Sequence, residues 1–294
     1  MIHKLGTERR NERTMDLDEM SILGILETMN SEDKEVPEKI KDVLPAIEAL
    51  VKETIAALKK NGRILYVGAG TSGRLGVLDA VECPPTFGTA PETVQGFIAG
   101  GDQAFTKAKE GAEDSQEAGR EDLEKVQLSE NDVVIGLAAS GRTPYVIGAL
   151  AYAREIGAVT GSIACNLDAA ISKWADHPIE INTGPEVLTG STRLKAGTAQ
   201  KLVLNMISSA SMIGYGKVYQ NLMVDVKATN EKLVARSHRI IQEATGVDEA
   251  TAVSTFEAAN HHVKTAIVMI LADVSAEEAV KRLDQAEGFV RQSI

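Results

Sequence analysis

The sequence predicts an α/β protein: a mostly parallel sheet flanked by helices, with an N-terminal helical segment and a small C-terminal helical module. Two observations carry this. Between Arg63 and Ile181 short apolar runs alternate with helical stretches, the pattern of strands joined by crossover helices. On either side of that block apolar residues recur at three- and four-residue spacing, which is helical. The expected segments are 1–60, 61–230 and 231–294.

In the first segment Leu17, Met20, Ile22 and Leu23 begin a short helix, and Ser31 is placed to cap the next. Ile40, Val43, Leu44, Ile47, Leu50, Val51, Ile55 and Leu58 form a helical stripe over 36–60 that Pro45 should end or kink, and Asn61-Gly62 supplies the stop. Strands are expected over 64–67, 94–99, 133–137, 158–164 and 177–181. Helices are expected near 75–81, 105–111, 115–126, 144–156 and 169–175, and one long helix over 195–215. Beyond Asn230, short helices are marked by Gly246, by Asp248 as a cap, by Ser275-Ala276-Glu277-Glu278 as a capping box and by Gly288. Their apolar set includes Ile240, Ile241, Phe256, Val263, Ile267 and Leu283, and no catalytic constellation is visible there.

A formal net charge of −11 argues against a sequence-independent nucleic-acid binder, which needs a basic face. It leaves room for a small anion held locally by backbone dipoles. Two cysteines, Cys83 and Cys165, make no disulfide framework and point to a reducing compartment. The N-terminus is too charged for a signal peptide. The most apolar stretch, 202–215, is short and carries Asn205, Ser208, Ser209 and Ser211, so it suits a buried or subunit-contacting helix better than a membrane span. A cytoplasmic protein is expected.

The chemistry is concentrated in 65–85. A buried strand ends in Gly68-Ala69-Gly70-Thr71-Ser72-Gly73-Arg74, glycines and hydroxyls that present backbone N–H groups to a phosphate. The same residues satisfy the dinucleotide pattern G-x-G-x-x-G, but Asp102 stands too late for the ribose-binding acid and reads as a helix cap. A second loop, Ala138-Ala139-Ser140-Gly141-Arg142-Thr143-Pro144, also follows a strand and opens a helix, and it repeats the tripeptide Ser-Gly-Arg. The pair either grips one phosphate from two sides or merely caps two helices. In a third hydroxyl-rich segment, 188–198, Arg193 and Lys195 either neutralise an anion or begin a solvated basic helix.

Glu82 precedes Cys83-Pro84-Pro85, where the prolines should stop the helix. A carboxylate in a last helical turn, partly buried, has its pKa raised toward that of a proton donor. Cys83, with no histidine motif beside it, reads as a packed thiol. Glu113 lies among Glu110, Asp114, Glu117, Glu121 and Asp122, and by residue type alone that run is a solvated face. His261-His262 are adjacent on a helix and make a poor metal pair.

The two loops and the third segment together resemble the sugar isomerase (SIS) fold, whose members bind phosphosugars at such loops. The resemblance narrows on Gly68-Ala-Gly-Thr-Ser-Gly-Arg-Leu-Gly76, Glu82-Cys-Pro-Pro85, Ala139-Ser-Gly-Arg-Thr-Pro-Tyr145, Glu186-Val-Leu-Thr-Gly-Ser-Thr-Arg193, Lys195-Ala-Gly-Thr-Ala-Gln-Lys-Leu-Val-Leu-Asn205 and Asn221-Leu-Met-Val-Asp-Val226. Together these are similar to the N-acetylmuramic acid 6-phosphate etherases, from about residue 5 to the C-terminus. Small departures are Gly6, Val81, Ala164 and Leu194, none of which removes a charged group.

The resemblance implies cleavage of the D-lactyl ether of a phosphosugar by elimination and water addition, with no cofactor and no metal, in a protein that pairs as a homodimer. It implies Glu82 as the acid for departing lactate and Glu113, in Gly111-Ala112-Glu113-Asp114, as the base for the C2 proton. Substrate binding is implied for Gly70, Thr71, Ser72, Gly73 and Arg74, for Ser140, Gly141, Arg142 and Thr143, and for Ser191, Thr192 and Lys195. Two other readings are a non-catalytic sugar-phosphate sensor of the glucokinase regulatory protein type and a phosphosugar isomerase. Retention of both glutamates favours the lyase.

Overall fold

A computed structural model describes residues 5–107, 109–226 and 230–294. Its centre is a parallel sheet of β1 (Ile64–Gly68), β2 (Val94–Ile98), β3 (Val133–Ala138), β4 (Val159–Ala164) and β5 (His177–Glu180), in the order β2-β1-β3-β4-β5. β1 and β3 are buried throughout, which is why they read as unbroken apolar runs. The chain leaves β1 for β2 on one side and returns to β3 on the other, so the winding reverses between β1 and β3. Ligands of such sheets bind outside the carboxyl ends of the strands at that reversal. Gly68 is in register with Leu137, so the two glycine-bearing loops leave the sheet side by side.

The helices before the sheet are α1 (Ile22–Asp33), α2 (Glu35–Lys41) and α3 (Leu44–Lys59). α1 is capped by Ser21, whose Oγ accepts from the Gly24 N–H at 3.1 Å; Ser31, expected as a cap, lies inside the helix. Pro45 sits in the first turn of α3, where its missing N–H has no intrahelical acceptor to lose. Within the sheet region come α4 (Gly70–Phe87), α5 (Gln103–Thr106), α6 (Gln116–Lys125) and α7 (Pro144–Ile156), and α8 (Lys195–Gly214) follows β5. The helix expected near 105–111 is reduced to α5 and a 3₁₀ turn at Ala112–Asp114, and Ala108 lies outside the described residues. The one expected near 169–175 is a 3₁₀ turn, Ile171–Trp174.

α4 departs most from expectation. It begins inside the glycine loop, and Pro84 and Pro85 do not stop it before Phe87. Two prolines remove two donors, but the Gly88 N–H restores a bond to the Pro84 carbonyl at 3.0 Å. Cys83 and Phe87, one turn apart, are both buried and hold that last stretch in place.

The chain forms two compact units. The first comprises the residues up to Val81 and Glu92–Ser208; the second comprises Glu82–Pro91 and Ser209–Ile294. The expected N-terminal segment is therefore part of the sheet unit: α3 packs on β1, β3 and β5, and Leu50 fills the space over Gly161, where a Cβ would stand 2.7 Å from Leu50 Cδ2. The division falls within α8, at Ser208, and not near 230; residues 227–229 beside that expected boundary lie outside the described residues.

In the second unit a hairpin, β6 (Val218–Tyr219) and β7 (Leu222–Met223), precedes α9 (Glu231–Thr245), α10 (Glu249–Ala258), α11 (Val263–Ala272), α12 (Ala276–Gln285) and α13 (Val290–Ser293). Its core holds Ile240, Ile241, Phe256, Val263, Ile267 and Leu283, and Asp248 and Ser275 cap α10 and α12. Beside the core the Lys264 ammonium, nearly buried, donates to Asp225 at 2.6 Å and to the Gly216 carbonyl at 2.9 Å. Among the described residues no helix is long and apolar enough to cross a membrane.

Candidate active site

A cavity of about 450 Å³ opens at the carboxyl edge of the sheet. The first loop lines it with Ala69, Gly70, Thr71 and Ser72, and the second with Ala138, Ala139, Ser140, Arg142, Thr143 and Pro144. Each loop leads into a helix, α4 or α7, whose first N–H groups have no intrahelical acceptor and whose dipole favours an anion.

Glycine is required twice for this geometry. A Cβ on Gly73 would stand 2.7 Å from the Gly68 carbonyl oxygen and 2.8 Å from Ile98 Cγ1, so only glycine lets α4 start this close to β1. Gly141 has φ +72°, and a Cβ there would meet Ala169 Cβ at 2.5 Å.

Of the binding residues expected from sequence, Gly70, Thr71, Ser72, Ser140, Arg142, Thr143 and Thr192 line the cavity, while Gly73 and Gly141 shape its loops. Ser72 is also held from behind: its hydroxyl donates to Gln200 Oε1 on α8 at 2.8 Å, and both residues are buried.

Arg74, Ser191 and Lys195 do not line it. The Arg74 guanidinium donates to the carbonyls of Phe105 at 2.8 Å and Ala104 at 2.7 Å, pinning the segment after β2. Ser191 belongs to a turn, its N–H bonded to the Leu188 carbonyl at 3.0 Å. The Lys195 ammonium, 3% exposed, is paired at 2.5 Å with Glu32, 2% exposed, whose other oxygen holds Arg13 at 2.6 Å. The N-terminus of α8 is also occupied. Glu186, fully buried, accepts from the N–H groups of Lys195 and Ala196 at 2.9 Å each. Burial pushes its carboxyl up, against the pull of those two amides. The third segment therefore contributes Thr192 and no cation.

Glu113 lines the cavity from the 3₁₀ turn after Gly111, together with Asp114. The rest of the acidic run behaves as residue type suggests. Glu117 and Glu121 are exposed on α6, while Asp122 accepts from the Tyr145 hydroxyl at 2.7 Å and from Lys125 at 2.8 Å.

Glu82 is elsewhere. It is exposed on α4, more than a turn before the helix ends, so neither the burial nor the last-turn position expected for it is present in the single chain. Cys83 is buried, as expected of a packed thiol, and burial with Glu186 nearby pushes the Cys165 thiol up.

Sequence reasoning missed the N-terminal strap. Leu5 and Glu8 line the cavity, although the run Thr7-Glu8-Arg9-Arg10 carries only the signature of a solvated terminus. It also missed Asn166, which joins the strap to the second loop by a side chain that nothing local in the sequence marks.

A parallel sheet with two glycine- and hydroxyl-rich loops at its point of reversal defines an SIS-domain protein. Family models agree: the SIS domain matches residues 103–210, and the glucokinase regulatory protein N-terminal SIS domain matches residues 46–154. The structure of an Escherichia coli CFT073 protein, c3406, solved as a complex, shares the fold, with a TM-score of 0.51 at 20% identity over 66% of this chain and 93% of that one.

Two relatives are similar along their whole length. The N-acetylmuramic acid 6-phosphate etherase of Exiguobacterium sp. is 64% identical over 100% of both chains. That of Halalkalibacterium halodurans is 63% identical over 100% of this chain and 99% of its own. The chain belongs to the N-acetylmuramic acid 6-phosphate etherase family.

Proposed function

We propose that the protein is a carbon–oxygen lyase that converts N-acetylmuramic acid 6-phosphate to N-acetylglucosamine 6-phosphate and D-lactate in the cytoplasm, as a step of cell-wall sugar recycling. The observation that carries this is one cavity that joins two phosphate-type loops to Glu113.

The loops and Arg142 hold the 6-phosphate. With the sugar ring open, the C1 aldehyde acidifies the C2 proton, and Glu113 removes it. Electrons from the C2–H bond form the C2–C3 double bond as the C3–O bond breaks. Glu82 gives its proton to the departing lactate oxygen. Water then adds its hydroxyl to C3 and a proton to C2, so the sum is hydrolysis without a redox change.

The reading includes a homodimer in which Glu82 serves the cavity of the second copy. Its support is that Glu82 is exposed and not among the residues lining the cavity, and that its neighbours Leu78 and Val81 are 46% and 57% exposed. Adjacent apolar side chains on one helix face are what a second copy would cover.

A second reading, a binder that performs no chemistry, is not favoured by the full-length relatives at 64% and 63% identity, which are named etherases. The wild-type protein should release D-lactate from N-acetylmuramic acid 6-phosphate, and Glu113→Gln should abolish release while still binding the phosphosugar. Binding by the wild type without lactate would favour the sensor, and an aldose–ketose product would favour an isomerase.

A further inference from the structure

Leu5 and Thr7 are buried, and the strap they belong to is fastened to the second phosphate loop through one side chain. The Thr7 N–H donates to Asn166 Oδ1 at 3.2 Å, and Asn166 Nδ2 donates to Thr7 Oγ1 at 2.9 Å and to the Ala139 carbonyl at 3.0 Å. Successive residues of a 3₁₀ turn point about 120° apart. Thr7 faces inward to Asn166, and the next residue, Glu8, is turned to the cavity wall.

Glu8 is half-buried, and its Oε2 lies 3.4 Å from where a Cβ on Gly190 would stand. Among the described residues the Glu8 carboxylate has no hydrogen-bond or ion-pair partner. Among the described residues the cavity is lined by three carboxylates, Glu8, Glu113 and Asp114, against one cation, Arg142.

A partly desolvated carboxylate in a site built for a phosphate weakens an anionic ligand unless the ligand satisfies it with donors. Phosphate at neutral pH offers chiefly acceptors. The sugar offers hydroxyls and an acetamido N–H. We infer that Glu8 is a specificity-determining residue that accepts hydrogen bonds from the hydroxyl or amide N–H donors of the bound sugar. The strap carries it to the cavity edge, and the Thr7–Asn166–Ala139 chain fixes its position relative to the phosphate loop. This rests on the phosphosugar reading of the cavity but not on turnover.

The test measures binding of N-acetylglucosamine 6-phosphate and of inorganic phosphate by calorimetry, in the wild type, Glu8→Ala and Glu8→Gln. Losing hydrogen bonds to a charged acceptor should weaken the sugar phosphate about tenfold or more in Glu8→Ala. Glu8→Gln, which keeps one acceptor oxygen, should fall between. Inorganic phosphate should bind both variants as well as the wild type or better, because a negative charge has gone. Equal loss of both ligands would show that the substitution displaces the strap, and unchanged sugar-phosphate affinity would show that Glu8 touches nothing; either overturns the inference. Failure of the wild type to bind N-acetylglucosamine 6-phosphate overturns it together with the phosphosugar reading. Binding without D-lactate release leaves it standing and removes only the lyase assignment.

Discussion

Replacing Lys195 with methionine separates a ligand-binding lysine from a structural one. The Lys195–Glu32 pair is buried on both sides, at 3% and 2% exposure. Removing one partner of a buried pair costs about 3–5 kcal/mol, because the other charge is left in low dielectric. Here Arg13 remains on the second Glu32 oxygen at 2.6 Å, so Glu32 keeps a counter-charge. The loss therefore falls at the low end, about 3 kcal/mol, which is roughly 6–12 °C in Tm for a domain of this size. Glu32→Gln leaves the ammonium without its carboxylate and should cost more, toward about 5 kcal/mol. Thermal melts give the stability, and calorimetry with inorganic phosphate gives the affinity. Lys195→Met should lower Tm by that amount and leave phosphate affinity within about twofold, since Lys195 does not reach the cavity. An unchanged Tm with a large loss of phosphate affinity would refute the argument and return Lys195 to the ligand.

Three further outcomes are expected. Glu82→Gln and Glu113→Gln chains should each be inactive alone, yet an equimolar mixture that re-pairs should recover about a quarter of wild-type lactate release, because half the dimers carry one intact shared site; no recovery would place both glutamates in one chain's site. Gly73→Ala puts a Cβ 2.7 Å from the Gly68 carbonyl oxygen and should displace the first loop at a cost of about 1–3 kcal/mol, lowering phosphate affinity at least tenfold by titration. In the second unit burial pushes Asp225 up, but the His262 ring 3.6 Å away and the ammonium groups of Lys264 and Lys217 outweigh it and hold the carboxyl at about 2. A depressed carboxyl contributes stability that is present above its unfolded pKa and lost as pH falls from about 3.8 toward about 2, on the order of 2 kcal/mol. Urea melts of Asp225→Asn should lack that acid-side loss; a slope equal to that of the wild type would count against the cluster.

The strands are legible because a sheet covered on both faces writes itself as apolar runs, and the two loops because glycine and hydroxyl residues have few other uses after a buried strand. The start of α4 is not legible: Gly70, Thr71, Ser72 and Gly73 are poor helix formers, and only their fit against β1 makes them helical. Arg74 and Lys195 read as anion binders because their partners are remote. The Ala104 carbonyl lies 30 residues from Arg74, and Glu32 lies 163 from Lys195. Glu113 is indistinguishable from its acidic neighbours by residue type, and only the 3₁₀ turn after Gly111 separates it from the solvated face of α6.

Under the proposed function a chain with net charge −11 would hold an anion here because the attraction is local and one-sided. Three helices begin near this edge of the sheet, but the N-terminus of α8 is filled by Glu186, leaving those of α4 and α7. Lys195 is neutralised by Glu32 and Arg74 is spent on carbonyls, leaving Arg142, among the described residues, as the cation that lines the cavity. The cavity thus has a phosphate pole at the two loops and a carboxylate pole at Glu8, Glu113 and Asp114. A phosphate placed about 4 Å from one carboxylate would be repelled by about 4 kcal/mol per unit charge at an effective dielectric of about 20, and the loops would lose their bonds. A phosphosugar bound as proposed would therefore be driven into one orientation, with its 6-phosphate between the loops and its C1–C3 end toward the carboxylates. Under the proposed function that orientation would bring the C2 proton to Glu113, so the charges that exclude phosphate from one end of the cavity would also select the atom on which the proposed base acts.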